Sequence, residues 1–179
     1  MTNYIDTERP VHQKYEALMA KEYNKMEDFK SDLQELIVED PDYLDSYNTL
    51  YSLALSEEDY LGAEIMLNRA YDKALRLLDV DDHSGWSQKL QWKDATNRHI
   101  IRTLLNKSLD FWMGDQFAEA KDVLAFLNAS NPKEGLGFDF YLLGVSHKKS
   151  YMDFINDFTD NGVPNEEGKA WFDRNTKAS

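Results

Sequence analysis

The densest group of side chains that could do chemistry is a run of three acids and a histidine, Asp79, Asp81, Asp82 and His83. Carboxylates and imidazoles bind metals when several of them converge on one point. This run lacks the calcium-loop spacing and its closing glutamate, so it favours a solvated linker. The chain has 4 histidines, and no two of them have the i, i+4 spacing of a helical metal pair. We therefore expect no metal site.

Other catalytic patterns are also missing from the sequence. The chain has no cysteine, which excludes disulfides, thiolate metal sites and thiol catalysis. No serine stands in a nucleophile elbow. The stretch Gly135-Leu136-Gly137 lacks the third glycine and the preceding strand of a phosphate-binding loop. Paired acids such as Glu57-Glu58 are typical of helix starts. We therefore expect a protein that is not an enzyme and that needs no cofactor.

The charge and composition of the chain limit its partners. It carries 33 acidic and 20 basic residues, for a net charge of −13. Such a surface repels phosphate backbones and anionic lipids, so we expect neither nucleic acid nor a membrane as a partner. Hydrophobic residues make up 42% of the 179 residues, which is enough for a core. The first ten residues are polar and lack the apolar core of a signal peptide, and the expected location is the cytoplasm.

Turn residues divide the chain into helix-length stretches. Prolines and glycines cluster at a few breaks, namely Pro41, Gly85, Gly114, Asn131-Pro132 and Asn161-Gly162-Val163-Pro164. Apolar residues between them follow the helical period, and we find no convincing strand. Helices are predicted to begin near Val11, Asp28, Tyr43, Ser56, Trp86, Asp115, Leu136 and Tyr151, with a shorter one after Pro164. Ser56 is a candidate cap for its helix. We predict an all-α protein with an N-terminal tail (1–10) and one domain (11–179), which carries a linker or insertion near 78–100.

An internal repeat runs through these helices. Its template is an apolar residue followed by others three, seven, ten and fifteen residues later. The best copy is Tyr60, Ala63, Leu67, Ala70 and Leu75. Further copies begin at Met26 and Phe117, and a partial one begins at Tyr151. The successive starts are 34, 57 and 34 residues apart, and 34 residues is the tetratricopeptide period.

At these positions the chain resembles the tetratricopeptide family. Small residues at Ala63 and Ala70 let two helices approach closely, and Leu67 fills the space between them. The first helix of this copy supplies Tyr47, Leu50 and Ala54. The sequence departs from the family pattern at several places: Tyr51 replaces a glycine, Lys107 replaces a leucine, and Phe29 and Phe154 are large for the close-contact site. The resemblance covers most of 11–158, and the alternative is a generic helical bundle.

The resemblance implies antiparallel helix pairs stacked as a short superhelix, whose first helices line a binding face. It implies a protein–protein interaction module that holds a basic or neutral peptide or protein in a helical groove. The residues expected to contact this partner are Arg102, Leu105, Leu109, Trp112, Asn48, Ser52, Asp139 and His147.

The centre of this groove is expected on one long helix. Arg102, Leu105, Leu109 and Trp112 are spaced by three, four and three residues, which places them on a single stripe. Trp112 is the principal apolar anchor, because aromatic residues supply much of the energy of binding. The alternative is that this stripe is buried. Two other function classes remain: a structural subunit that homodimerises through this helix, and a helical enzyme or small-ligand pocket protein.

Overall fold

A computed structural model describes residues 2–80, 85–132 and 135–176. The α-helices among them are α1 (Val11–Met19), α2 (Met26–Glu39), α3 (Asp45–Ser56), α4 (Tyr60–Leu77), α5 (Arg98–Met113), α6 (Phe117–Ser130), α7 (Phe138–Ser146), α8 (Tyr151–Phe158) and α9 (Glu166–Thr176). A single 3-10 turn covers Ala95–Asn97, and the short strands are β1 (Thr2–Tyr4), β2 (Gln88–Leu90), β3 (Thr159–Asp160) and β4 (Val163–Pro164). The prediction of a mostly helical, all-α protein is confirmed. Within the described ranges, no helix is long and apolar enough to cross a membrane.

Most helices begin close to their predicted starts. The prediction that Ser56 caps α4 was wrong. Ser56 does not cap α4, because it is the last residue of α3 and its hydroxyl donates to the Leu53 carbonyl at 2.7 Å. The cap is Asp59, whose carboxylate accepts the Gly62 N–H at 2.9 Å. Glu58 turns the chain between the two helices with a φ of 61°. A capping carboxylate at this position satisfies one of the open N–H groups of the first turn.

The segment from Trp86 to Asn97 is not α-helical, which corrects two predictions. The long helix begins at Arg98, twelve residues later than predicted, and β2 lies within the preceding segment. β2 pairs in parallel with β1, so short strands exist where we expected none. The N-terminal segment is therefore not a free tail. The side chain of Asn97 fastens it further, since it accepts the Asp6 N–H and donates to the Tyr4 carbonyl, both at 2.9 Å.

The chain divides into two compact units, Met1–Lys107 and Ser108–Ser179. In the first, called unit 1, α1 packs on α2, α2 on α3 and α3 on α4. Ala63, Leu67 and Ala70 are at most 2% exposed, and the first two belong to a core cluster with Tyr51 and Ala54 of α3. The predicted burial of the two alanines at a contact between helices is confirmed. The small side chains allow α3 and α4 to approach closely.

The second unit, called unit 2, has an aromatic core. Here α6 packs on α7 and α8 on α9, and β3 pairs with β4 as an antiparallel hairpin. Phe154 is fully buried and its ring centroid lies 4.9 Å from that of Trp112 and 5.6 Å from that of Trp171. Gly144 lies against this cluster, and a Cβ atom at this residue would come within 2.6 Å of Trp112 and 2.7 Å of Phe154. The absence of a side chain at Gly144 is what leaves room for the indole ring.

Candidate functional site

Helix α5 carries the four residues that the sequence assigned to the centre of a groove. Arg102 and Leu105 belong to unit 1, and Leu109 and Trp112 belong to unit 2. Arg102 and Leu105 of unit 1 are half-buried, and so is Leu109 of unit 2. Trp112 is completely buried, and its indole Nε1–H donates to the Lys149 carbonyl at 2.7 Å. The interpretation of Trp112 as an exposed anchor is therefore corrected: the indole is part of the aromatic core.

Two predicted contact residues of α3 have other neighbours. The Asn48 side chain is buried, and its amide donates to the Thr103 hydroxyl at 3.0 Å. Its oxygen accepts from the Asn106 amide at 3.2 Å. Asn48 therefore links α3 to α5 and does not face an open groove. Ser52 is exposed, and its hydroxyl donates to the Asn48 carbonyl at 3.1 Å.

The remaining two predicted contact residues, Asp139 and His147, lie on α7 or at its end in unit 2, and both are exposed. The Asp139 carboxylate accepts the Phe140 N–H at 2.9 Å, which ties it to the first turn of α7. The His147 ring meets the edge of Trp171 at a centroid distance of 5.6 Å. Each side chain is thus held by its immediate surroundings in unit 2.

Unit 1 contains a cavity of about 250 Å³ where the starts of α1, α3 and α5 come together. Six of its lining residues take part in the hydrogen bonds described below: Arg9, His12, Tyr43, Asp45, His99 and Arg102. Arg102 is the one residue of the predicted binding set that lines it.

One wall of the cavity is an ion pair between α3 and α5. Arg102 Nε donates to Asp45 Oδ1 at 2.8 Å, and Nη2 donates to Asp45 Oδ2. The side chain of Asp45 is only 5% exposed, whereas that of Arg102 is 42% exposed. Burial alone would lower the pKa of Arg102, but the hydrogen bonds and charge of Asp45 raise it. Arg102 therefore stays charged and compensates the buried carboxylate.

A relay of hydrogen bonds runs from Asp45 to the surface. The Tyr43 hydroxyl donates to Asp45 Oδ2 at 3.2 Å. The hydroxyl oxygen of Tyr43 also lies 2.8 Å from His12 Nδ1. Burial and the nearby carboxylate raise the pKa of Tyr43, so its proton stays on the hydroxyl. With the Tyr43 proton directed to Asp45, the matching tautomer of His12 has its proton on Nδ1, which donates to the hydroxyl oxygen. In a neutral imidazole this leaves His12 Nε2 as an acceptor at the exposed end of the relay.

Two other lining residues, Arg9 and His99, are held by Asp6, which is 6% exposed and lies behind the lining. The Leu44 N–H donates to His99 Nδ1 at 3.0 Å, so the ring proton is on Nε2, which donates to Asp6 at 3.0 Å. Arg9 donates to Asp6 through Nε at 2.6 Å and Nη2 at 3.0 Å. Burial would raise the pKa of Asp6, but the hydrogen bonds from His99 and Arg9 outweigh it and hold that pKa well below its usual range. Arg9 uses its third nitrogen on Asp40 at 2.9 Å.

These pairings decide what the cavity can bind. Both guanidinium groups are already matched by buried or half-buried carboxylates, and Glu8 adds a further negative charge to the rim. An anion would therefore meet little uncompensated positive charge. Arg102 Nη1 remains as a donor and His12 Nε2 as an acceptor, and this pair suits a neutral polar group. A cationic group is favoured by the surrounding carboxylates, which outnumber the two guanidinium groups.

In the parts of the chain that the structure describes, no group of three or more histidine, aspartate or glutamate side chains is placed so that it could hold a metal ion. The acidic run singled out in the sequence falls largely outside the described residues, since Asp81, Asp82 and His83 are not among them. Asp79 is described, and it turns the chain after α4 with a φ of 54°.

Sequence reasoning missed four of these six lining residues. The tetratricopeptide resemblance implies that Asp45 and Arg102 line the concave face, but Arg9, His12, Tyr43 and His99 were not singled out as site residues. Their sequence signals are weak, because isolated histidines and tyrosines are usually core or surface residues. Comparison with protein-family models, curated proteins and solved structures finds no match. The tetratricopeptide resemblance therefore remains a hypothesis based on the residues and their contacts.

Proposed function

We propose that this chain is a non-catalytic interaction module, built from tetratricopeptide-like helix pairs, that binds a segment of a partner protein on the face of α1, α3 and α5. One observation carries the proposal: residues at equivalent repeat positions touch. The Tyr15 hydroxyl lies 2.8 Å from the Thr49 hydroxyl, 34 residues along the chain. Asp45 and Arg102, which form the ion pair above, are 57 residues apart.

These separations match the repeat intervals read from the second helices. The copies that begin at Met26 and Tyr60 are 34 residues apart, and those that begin at Tyr60 and Phe117 are 57 residues apart. In a stack of helix pairs, each first helix packs beside the first helix of the next pair, so equivalent residues become neighbours. A bundle with chance spacing has no reason to place equivalent residues side by side. The two contacts therefore support the stacking of α1, α3 and α5.

The cavity supplies an anchoring point on this face. At about 250 Å³ it lies below the usual size of a drug-sized ligand pocket, and it suits one side chain of a peptide. A side chain seated in such a pocket commonly contributes most of the binding energy. The paired arginines, with Asp45 and Glu8, favour a neutral or basic residue. The partner we propose is thus a peptide segment with such an anchor.

Photo-crosslinking in the native cell tests this proposal. A photoreactive benzophenone residue replaces Gln13, which is exposed on the cavity rim, and in a matched control it replaces Glu27, which is exposed on α2. We expect a discrete protein adduct from position 13 that is absent from position 27, and its mass spectrum should identify the crosslinked segment. The adduct should weaken when His12→Ala is added. Identical adducts at both positions, or none at position 13, would contradict the proposal.

A measurement on the purified protein distinguishes a monomeric interaction module from a homodimeric subunit. Light scattering coupled to size exclusion measures the molar mass of the species in solution. We expect the mass of one chain, about 20.9 kDa. If the adduct at position 13 were a second copy of this chain and the mass were twice that value, the homodimerising subunit would replace the adaptor as the conclusion.

A further inference from the structure

The first turns of α4 carry exposed apolar side chains: Leu61 and Ile65 lie on the side opposite its packed face, and Tyr60, the first residue of the helix, lies in line with the packed face but before its buried part. Tyr60 and Leu61 are each 68% exposed, and Ile65 is 40% exposed. The packed side is already complete, since Ala63 and Leu67 are buried against α3. A helix that packs on one side does not need a second apolar face. Leu61 and Ile65 are spaced i, i+4, so their side chains are neighbours on the helix surface.

A further exposed apolar residue ends α3, and several acids lie near these side chains in the chain. Leu55 is 39% exposed in the last turn of α3, and the chain passes from there into α4 through three consecutive acids, Glu57-Glu58-Asp59. Glu64 lies on α4 beside Ile65 and is exposed. We call the four apolar residues Leu55, Tyr60, Leu61 and Ile65, together with these acids, the α4 patch.

The charge of the α4 patch is negative even after its basic neighbours are counted. Lys30 forms an ion pair with Glu57, and Arg69 lies one turn beyond Ile65. Asp59 accepts the Gly62 N–H as the helix cap, but it keeps its negative charge. Glu58 and Glu64 are both exposed; Glu58 precedes Tyr60 by two residues, and Glu64 lies one helical turn after Tyr60. A partner that covers the apolar side chains therefore gains by bringing positive charge to this rim.

We propose that the α4 patch docks a short amphipathic helix that carries lysine or arginine beside its apolar stripe. The apolar stripe of such a helix packs against Leu61 and Ile65, because ridges of one helix fit between the side chains of another. The alkyl stems of its basic residues cover Tyr60, and their charged ends reach Glu58 and Glu64. An acidic helix would meet like charge, and an uncharged one would leave the rim unmatched.

This surface is separate from the cavity of the proposed function. The α4 patch shares no residue with the cavity lining. The two proposals therefore fail independently: loss of crosslinking at position 13 leaves the α4 patch untouched, and loss of helix binding at α4 leaves the cavity untouched. The patch is small for an interface, so we expect weak, micromolar binding.

The probe is a synthetic amphipathic peptide about 14 residues long, with leucines on one stripe and lysines beside it. Two control peptides have the same length: one has the same composition in an order that destroys the stripe, and one has glutamate for lysine. Fluorescence anisotropy of the labelled peptide measures affinity for the full-length protein, and backbone amide chemical shifts locate the bound peptide. We expect binding of the first peptide alone, with shifts at the start of α4.

Variants then assign the binding to the α4 patch. The double substitution L61S/I65S should weaken binding by about tenfold or more, and E58K/E64K should weaken it by a similar factor through charge alone. The matched control is Val38→Ser, which removes an apolar residue that is 84% exposed on α2 and should change nothing.

Three results would overturn the proposal. One is equal binding of the peptide without a stripe, which would mean general charge attraction. Another is an equal effect of Val38→Ser, which would mean that any exposed apolar residue serves. The third is unchanged affinity in E58K/E64K, a variant that keeps the apolar residues and so remains informative if L61S/I65S does not fold.

Discussion

Arg102 donates two hydrogen bonds to the buried carboxylate of Asp45, which lies 57 residues earlier in the chain. This contact joins α3 to α5 and forms a wall of the cavity. A carboxylate that is 5% exposed is costly to bury without a partner, so the position of Asp45 depends on Arg102. The same two side chains thus stabilise the helix stack and shape the candidate site.

Removing this partner should destabilise unit 1. We expect Arg102→Gln to lower the free energy of unfolding by about 1–3 kcal/mol, less than for a fully buried pair because the Arg102 side chain is 42% exposed. The combined variant D45N/R102Q should lose less than the sum of its single variants, as urea denaturation would show. Arg174→Gln, at an exposed position of α9, should have almost no effect. Strict additivity of D45N and R102Q would contradict the coupling.

Enlarging Ala63 should overpack the contact between α3 and α4. Ala63 is 2% exposed, so the added volume of Ala63→Leu has no open space to enter. We expect a loss of about 1–3 kcal/mol in the free energy of unfolding, measured by urea denaturation. Asp72→Leu introduces the same side chain at an exposed position of α4 and should change the stability by less than about 0.5 kcal/mol. Equal effects of the two variants would show that the helix contact tolerates bulk.

Gly144 offers a corresponding test in unit 2. In Gly144→Ala the new methyl group would lie within 2.6 Å of Trp112, whose buried ring has no room to move aside. Thermal unfolding should show a loss of about 1–3 kcal/mol. Gly114→Ala is the matched control, because the nearest atom to its new Cβ is 3.5 Å away. That variant should be neutral or slightly more stable, and a stable Gly144→Ala protein would mean that the indole is loosely held.

The buried carboxylate of Asp6 should make stability depend on acid pH. Its pKa in the folded protein is held below its usual range, against the effect of burial, by hydrogen bonds from His99 and Arg9. The ionised form therefore stabilises the fold above about pH 4, and this contribution is lost as the pH falls through the folded pKa. Asp6→Asn cannot titrate, and at neutral pH it should be less stable by about 3 kcal/mol.

The measurement is the free energy of unfolding of both proteins between about pH 7 and pH 2. The difference between wild type and Asp6→Asn should be largest at neutral pH and should narrow as the pH falls below about 4. Asp139→Asn removes an exposed carboxylate and serves as the control, with little difference at any pH. A wild-type advantage that does not change with pH would show that Asp6 acts through packing and not through its charge.

The sequence alone was enough to determine the helical character of the chain and part of its inner packing. The spacing of Ala63, Leu67 and Ala70 predicted which face of α4 is buried, because the side chains of a helix repeat every 3.6 residues wherever the helix lies. The 57-residue interval between two copies of the repeat also equals the separation in the chain between Asp45 and Arg102, which form an ion pair. These properties depend on local geometry and on order along the chain.

The tertiary structure alone decided the rest of the site. Asp6 and His99 are 93 residues apart, and nothing in either neighbourhood indicates the other. The sequence could not decide whether Trp112 was exposed, because both stripes of α5 are apolar and only the close approach of Gly144 and Phe154 buries the indole ring. Residues distant in the chain decide which of two similar helix faces becomes part of the core and which polar groups meet inside it. Local periodicity carries no information about those distant residues.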